Sequence, residues 1–192
     1  NTDTSTGAGG IRAQYSDPQL NFVTITDNVS EGDNHYGGIY GSFSNITMSN
    51  SIVWNNSDTE VYMDFGSLNA SYSNIQGGYI GMGNIDTDPI FVDAANGDYH
   101  LQESSLCIGA GDPTYIPSTD IEGNPRPNPA GSNPDMGAYE HENATPTDIA
   151  PPTISSISSS SASGTYGIGD TVIISINFSE SVIFTDSLIV TL

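Results

Sequence analysis

The chain has 192 residues, enough for one sizeable domain or for one domain and part of another. Its two cations, Arg12 and Arg126, stand against 23 Asp and Glu residues, and the net charge is −21 with no lysine. That balance argues against nucleic acid and anionic membrane surfaces, whose phosphates are bound by Lys and Arg displacing counterions. It argues equally against acidic polysaccharides unless a divalent cation bridges the like charges, and it fits a secreted or salt-exposed protein.

Helical periodicity is close to absent. Short runs of Val, Ile, Thr, Tyr and Phe alternate with Gly, Asn, Asp and Ser, the pattern of strands and turns. Residues 18–28 are echoed by 46–56 and again by 68–78. An upstream apolar position keeps step, with Ile11, Ile39 and Val61 lying 28 and 22 residues apart. Short β-rich units at such periods imply a stacked solenoid, in which a coil buries its apolar side chains only against the next. Strands as brief as that around Ile39 suit a coil with three short strands per turn. Asn28, Asn56 and Gly78 fall at one place in the repeat, where a left-handed corner is predicted because Asn and Gly tolerate it. Residues 1–83 are assigned to these coils.

From 84 to 142 the repeat gives way to Asp-Pro and Gly-rich turns, with short strands predicted at 90–92, 99–101 and 106–108. A solenoid must hide the core and open edges of its last coil, and 84–142 reads as that C-terminal cap. Residues 143–152 read as a Pro/Thr-rich linker. Residues 153–192 hold strand signals at 153–157, 171–178 and 188–192, with Val172, Ile174, Ile176 and Phe178 on one face. A β-sandwich needs roughly seven strands, so this stretch reads as an incomplete second domain.

The single cysteine, Cys107, excludes an internal disulfide framework, and its apolar neighbours predict a buried thiol. No apolar run approaches a membrane span. No basic-then-apolar leader stands at Asn1, so the expectation is a mature N-terminus or a cut within a longer chain.

The motifs Asn50-Ser51-Ile52-Val53-Trp54 and Tyr72-Ser73-Asn74-Ile75-Gln76-Gly77-Gly78 are followed in order by several more. These are Gly83-Asn84-Ile85-Asp86-Thr87-Asp88-Pro89-Ile90-Phe91-Val92-Asp93, Asn96-Gly97-Asp98-Tyr99-His100-Leu101 and Cys107-Ile108-Gly109-Ala110-Gly111-Asp112-Pro113. Thr119-Asp120-Ile121-Glu122-Gly123-Asn124-Pro125-Arg126-Pro127 and Asp135-Met136-Gly137-Ala138-Tyr139-Glu140 complete the set. Together, over residues 9–141, they resemble the last coils of secreted bacterial right-handed parallel β-helix proteins of the pectin-lyase-like superfamily. The resemblance implies an all-β fold, the end of a right-handed parallel β-helix with its C-terminal cap. Gly164-Thr165-Tyr166-Gly167-Ile168-Gly169-Asp170, followed by a strand and Phe178-Ser179-Glu180, resembles the opening of immunoglobulin-like repeats in bacterial surface proteins. It implies a partial immunoglobulin-like β-sandwich.

Polysaccharide lyases of this fold use a basic residue for proton abstraction and Arg or Lys with calcium to neutralise the uronate. Here Arg12 stands on the first coil, where it faces outward, and Arg126 lies in the cap, where pairing with Asp120 or Glu122 is expected. Glycoside hydrolysis needs two carboxylates at a set separation, and Asp33, Asp58, Glu60 and Asp64 are the coil candidates. His35, His100 and His141 neighbour no nucleophile motif and match no zinc spacing. Calcium takes carboxylate, amide and carbonyl oxygens, and two clusters offer them. One is Asp86, Asp88, Asp93 and Asp98 with Asn96; the other is Asp112, Asp120 and Asp135 with Glu122 and Asn124. Asx-turns account for the same residues without an ion. Tyr36, Tyr40 and Tyr62, together with Arg12, are the candidate ligand-binding residues, since aromatic faces pack on sugar rings. At least half of the coil rings, which also include Trp54, Tyr72 and Tyr79, are expected to be buried.

The expected role is a non-catalytic element of a larger secreted or cell-surface protein, adhesive, glycan-binding or stalk-like, with extracellular polysaccharide or other surface proteins as partners. One alternative is part of a polysaccharide lyase or glycoside hydrolase whose groove lies on upstream coils. Another is a filament subunit that self-associates through open strand edges.

Overall fold

The computed structural model describes residues 2–3, 8–30, 36–142, 154–161 and 164–178. The chain divides into two compact units, Asn1–Thr147 and Asp148–Leu192. The described residues are all-β apart from one 3-10 turn, Ala94–Asn96, and no helix among them is long and apolar enough to cross a membrane.

In the first unit three successive segments each supply a set of short strands. The first carries β1 (Thr2–Asp3), β2 (Ile11–Gln14), β3 (Gln19–Asn21), β4 (Thr24–Thr26) and β5 (Val29–Ser30). The second carries β6 (Ile39–Ser42), β7 (Asn45–Ser49) and β8 (Ile52–Trp54), and the third β9 (Val61–Asp64), β10 (Ser67–Ser71) and β11 (Asn74–Ile75). They assemble into three parallel sheets ordered β2-β6-β9, β3-β7-β10 and β4-β8-β11, while β1 pairs with β5. Each strand therefore pairs with its equivalent in the next segment: Ile11 with Ile39 and Val61, Leu20 with Met48 and Ala70, Ile25 with Val53 and Ile75. This is the pairing that the echoes in the sequence imply.

Alternation decides what is buried. In β7 and β10 the residues run exposed, buried, exposed, buried, which turns Ile46, Met48, Leu68 and Ala70 inward. They join Ala13, Ile25, Ile39, Val53 and Ile75 in one core cluster. Each large apolar side chain buried there contributes about 1.5–3 kcal/mol. Serine hydroxyls serve the corners: Val23 N–H donates to Ser51 Oγ at 3.2 Å, and Ser51 N–H donates to Ser73 Oγ at 3.2 Å.

The corners themselves are left-handed, at Gly78 (φ 80°) as the repeat predicted but not at Asn28 or Asn56. Positive φ falls on Asp27 (54°) and Asn55 (55°), one residue ahead of Asn28 and Asn56. Asn28 and Asn56 form a side-chain ladder instead, with Asn28 Nδ2 donating to Asn56 Oδ1 at 2.9 Å. On the first sheet the corner residues are aromatic: Tyr15 (φ 50°), Phe43 (48°) and Phe65 (54°). Such a conformation costs a non-glycine residue about 1–3 kcal/mol. Stacking offsets part of it, with centroids 5.1 Å apart for Tyr15–Phe43 and 4.9 Å for Phe43–Phe65, close to the ~4.8 Å between neighbouring strands.

Residues 86–142 pack largely against the flank of the stack. They include β12 (Phe91–Asp93) and β13 (Asp98–Leu101), an antiparallel pair. Leu101, Cys107 and Met136 form a second core cluster with Ile52, the β8 residue that points away from the first core. Gly137 N–H donates to Asn50 O at 2.8 Å, and Ala138 N–H donates to Thr24 Oγ1 at 3.0 Å. Gly137 (φ 99°) has to be glycine, because a Cβ there would meet Ile52 and Thr24. The edge of the third segment is followed by residues 79–85. Tyr79 packs on the first core and donates to Leu68 O at 3.2 Å, and Asn84 Nδ2 donates to Ala70 O at 3.1 Å. Residues 106–108 are turn rather than strand. Cys107 is fully buried there, and burial pushes its thiol up to about 11.

In the second unit β14 (Ile154–Ser159) and β15 (Ile174–Phe178) pair antiparallel with a bulge between Ile154 and Ser156. Val172, Ile174 and Ile176 are half-buried between exposed neighbours, as predicted from their alternation. The linker at 143–152 and the strand expected at 188–192 lie outside the described residues.

Candidate functional site

The first sheet carries an aromatic face. Arg12, Tyr40 and Tyr62 occupy one register position on β2, β6 and β9. Tyr36 enters from the turn before β6, where Gly37 and Gly38 let the chain run against the backbone of Ser57 and Glu60. The rings lie nearly parallel, with centroids 4.9 Å apart for Tyr36–Tyr40 and 4.3 Å for Tyr36–Tyr62. The Arg12 guanidinium lies over Tyr40 at 5.8 Å, a cation–π distance. Burial, and then the Tyr62 hydroxyl, hold the Tyr36 phenol above its ordinary value. All four ligand-binding candidates chosen from the sequence thus stand together.

A stacked ladder presents ring edges and hydroxyls to solvent and covers most ring faces. Arg12 covers one side of Tyr40 and Tyr36 the other. Tyr62 sits on the edge strand β9 and, at 40%, is the most exposed ring of this ladder. Beside this ladder runs the Tyr15–Phe43–Phe65 stack, at 73%, 50% and 71% exposure. The sequence reading missed that stack, although its members keep the same 28- and 22-residue intervals as Ile11, Ile39 and Val61. None of Tyr36, Tyr40, Trp54, Tyr62, Tyr72 and Tyr79 is buried outright, which corrects the expectation for half of them.

The carboxylates considered for calcium are engaged by nearby donors. Asp86 accepts from Gly77 N–H, Asp88 from Ile90 N–H, Asp93 from the Asn96 amide and Asp98 from His100 N–H. Asp112 accepts from Thr114, while Asp120 accepts the N–H groups of Glu122, Asn124 and Glu140. Asp135 accepts from Gly109 and His141 N–H at 2.7 and 2.6 Å. Among the described residues no group of three or more His, Cys, Asp or Glu side chains is arranged to hold a metal ion.

Arg126 pairs with neither Asp120 nor Glu122. Its Nε donates to Glu140 Oε2 at 2.7 Å, with both side chains buried, and its guanidinium lies over Phe22 at 4.5 Å. Buried this way it is structural. Glu60, a hydrolysis candidate, receives both the backbone N–H and the amide of Asn56, and burial raises its carboxyl. Asp33 and His35 lie outside the described residues. His100 is bridged by Asp98 at 2.6 Å and Glu122 at 3.1 Å, contacts that hold its imidazole above its ordinary value, Asp98 contributing most. No protein-family model, curated protein or solved structure matches this chain.

Proposed function

We propose that residues 8–142 are the closing part of a right-handed parallel β-helix of the pectin-lyase-like kind, that the second unit opens an immunoglobulin-like domain, and that the whole is a non-catalytic, glycan-binding element of a secreted or cell-surface protein. Three parallel sheets fed in turn by successive segments support the architecture. The Arg12–Tyr36–Tyr40–Tyr62 face is the observation that carries the function. Tyrosine rings supply apolar faces and edges for pyranose C–H groups, and their hydroxyls with Arg12 supply hydrogen bonds. With a net charge of −21 the chain favours neutral glycans.

The test is calorimetric titration of the chain with a panel of neutral oligosaccharides, scored in parallel for cleavage. One member of the panel should bind, and the Tyr40→Ala/Tyr62→Ala double variant should lose about tenfold or more of that affinity, the worth of one good contact. Equal binding by the double variant, or cleavage of any glycan, would overturn the reading.

A further inference from the structure

The third sheet carries a different kind of surface. Two adjoining hollows, of about 410 and 610 Å³, share Asp27, Asn55 and Ala94 and so form one groove between this sheet and the β12–β13 pair. Trp54 and Phe91 line the first hollow, and Tyr99 and Asn96 line the second. Asp88 adds a second carboxylate to the first. Thr26 also lines that hollow, its hydroxyl buried with no hydrogen-bond partner. No cationic side chain lines either hollow: Arg12 stands over Tyr40 and Arg126 is held by Glu140.

Aromatic rings, two carboxylates without a cation, and amide and hydroxyl groups together specify a ligand. It must have an apolar ring face, hydroxyls and positive charge. We propose that this groove binds an oligosaccharide of hexoses bearing free amino groups, the ammonium facing Asp27 and Asp88 and a pyranose face resting on Trp54. A linear polyamine carries the charge but offers no ring face or hydroxyls. An N-acetylated sugar offers both but lacks the charge. Two hollows joined at Asp27 call for at least two linked rings. The assignment stands apart from that of the tyrosine face, with which it shares no residue.

Trp54 is the single tryptophan of the chain, and it lines this groove while packing on the second core, so its emission reports on binding here. The chain is titrated with the glucosamine trimer at about pH 6, where the amines are protonated. A saturable change in emission is expected, with affinity about tenfold or more above that for the N-acetylated trimer. Asp27→Asn/Asp88→Asn should lower affinity for the free amine by about tenfold, the effect of removing a charged hydrogen-bond acceptor. Asparagine tolerates the left-handed corner at position 27, and the comparison of the two trimers needs no variant. Tyr40→Ala/Tyr62→Ala should leave the response unchanged, which separates this site from the tyrosine face. No saturable change, equal affinity for the N-acetylated trimer or for spermidine, or full affinity in the double Asn variant would overturn the proposal.

Discussion

The stacked segments and the segment on their flank solve one problem in opposite ways. Among the described residues between 11 and 75 many positions meet their own kind 28 or 22 residues on: apolar on apolar in the core, Asn28 on Asn56 at a corner, Tyr15 on Phe43 on Phe65 at another. Within the strands there, backbone N–H and C=O groups pair with neighbouring strands, and side-chain oxygens serve N–H groups at the corners. Residues 84–142 have only one strand pair, and beside the carbonyls reached in their turns carboxylates take a large share of their backbone donors. Asp120 takes three N–H groups, Asp135 takes two, and Glu140 takes those of Asn128 and Asp135 as well as Arg126. A chain without regular ladders still has to pair its buried donors, and acidic side chains do so at the expense of crowding negative charge. Asp135 shows the expense: burial first, and then repulsion by Glu140, push its carboxyl up to about 7.

The largest expected effect comes from removing the cation that holds these carboxylates together. Arg126→Ala should destabilise the flank by about 3–5 kcal/mol, because it leaves Glu140 buried and unpaired. Hydrogen exchange should show lost protection at Gly109, Gly137 and His141 while the amides of β6, β7 and β8 keep theirs. Equal loss in both regions would mean that stack and flank unfold as one unit, and the contrast drawn above would be thermodynamically empty.

Next in size is the Asn ladder. Asn56 accepts from the N–H and amide of Asn28 and donates to Glu60 and Ile25 O. Asn56→Ala should cost about 1–3 kcal/mol in urea unfolding, since it strands part-buried donors and a carboxylate. Asn28→Ala, which removes fewer contacts, should cost less. If the two cost the same, the corner is held by backbone geometry and not by the ladder.

A different kind of effect is a pH slope. Asp135 is held at about 7 against an ordinary 3.8, so the folded chain keeps a proton that the unfolded chain releases. Its contribution is full below 3.8 and lost as pH rises through about 7. Asp135→Asn should therefore flatten the decline in melting temperature across that window relative to the parent. Glu60 and His100, both raised, add slopes of the same sign, but these are common to both proteins and cancel in the difference. An unchanged slope would show that Asp135 titrates normally and that the flank carboxylates are less crowded than their geometry indicates.

Legibility followed the same division. The Ile11–Ile39–Val61 interval contained the register, and with it the meeting of Arg12, Tyr40 and Tyr62, because in a parallel stack equal spacing becomes vertical contact. The Phe43 stack keeps the same interval, but aromatic residues stand at left-handed corners where sterics favour Asn or Gly. In the flank the rule has nothing to act on. Glu140 rather than Asp120 partners Arg126, and 106–108 is a turn, because those outcomes depend on contacts made once.

The sequence by itself therefore determined the all-β character, the alternation that turns Ile46 and Met48 inward, and the pairing of successive segments. These follow from period-2 burial and repeat spacing, which are local or nearly so. Only the tertiary structure decided that residues 86–142 lie along the flank, that Ile52 anchors a second core with Leu101, Cys107 and Met136, and that Trp54, Asp27 and Asp88 line one groove. Those arrangements join residues tens of positions apart with no repeating interval, and only packing of the outward face of the third sheet selects them.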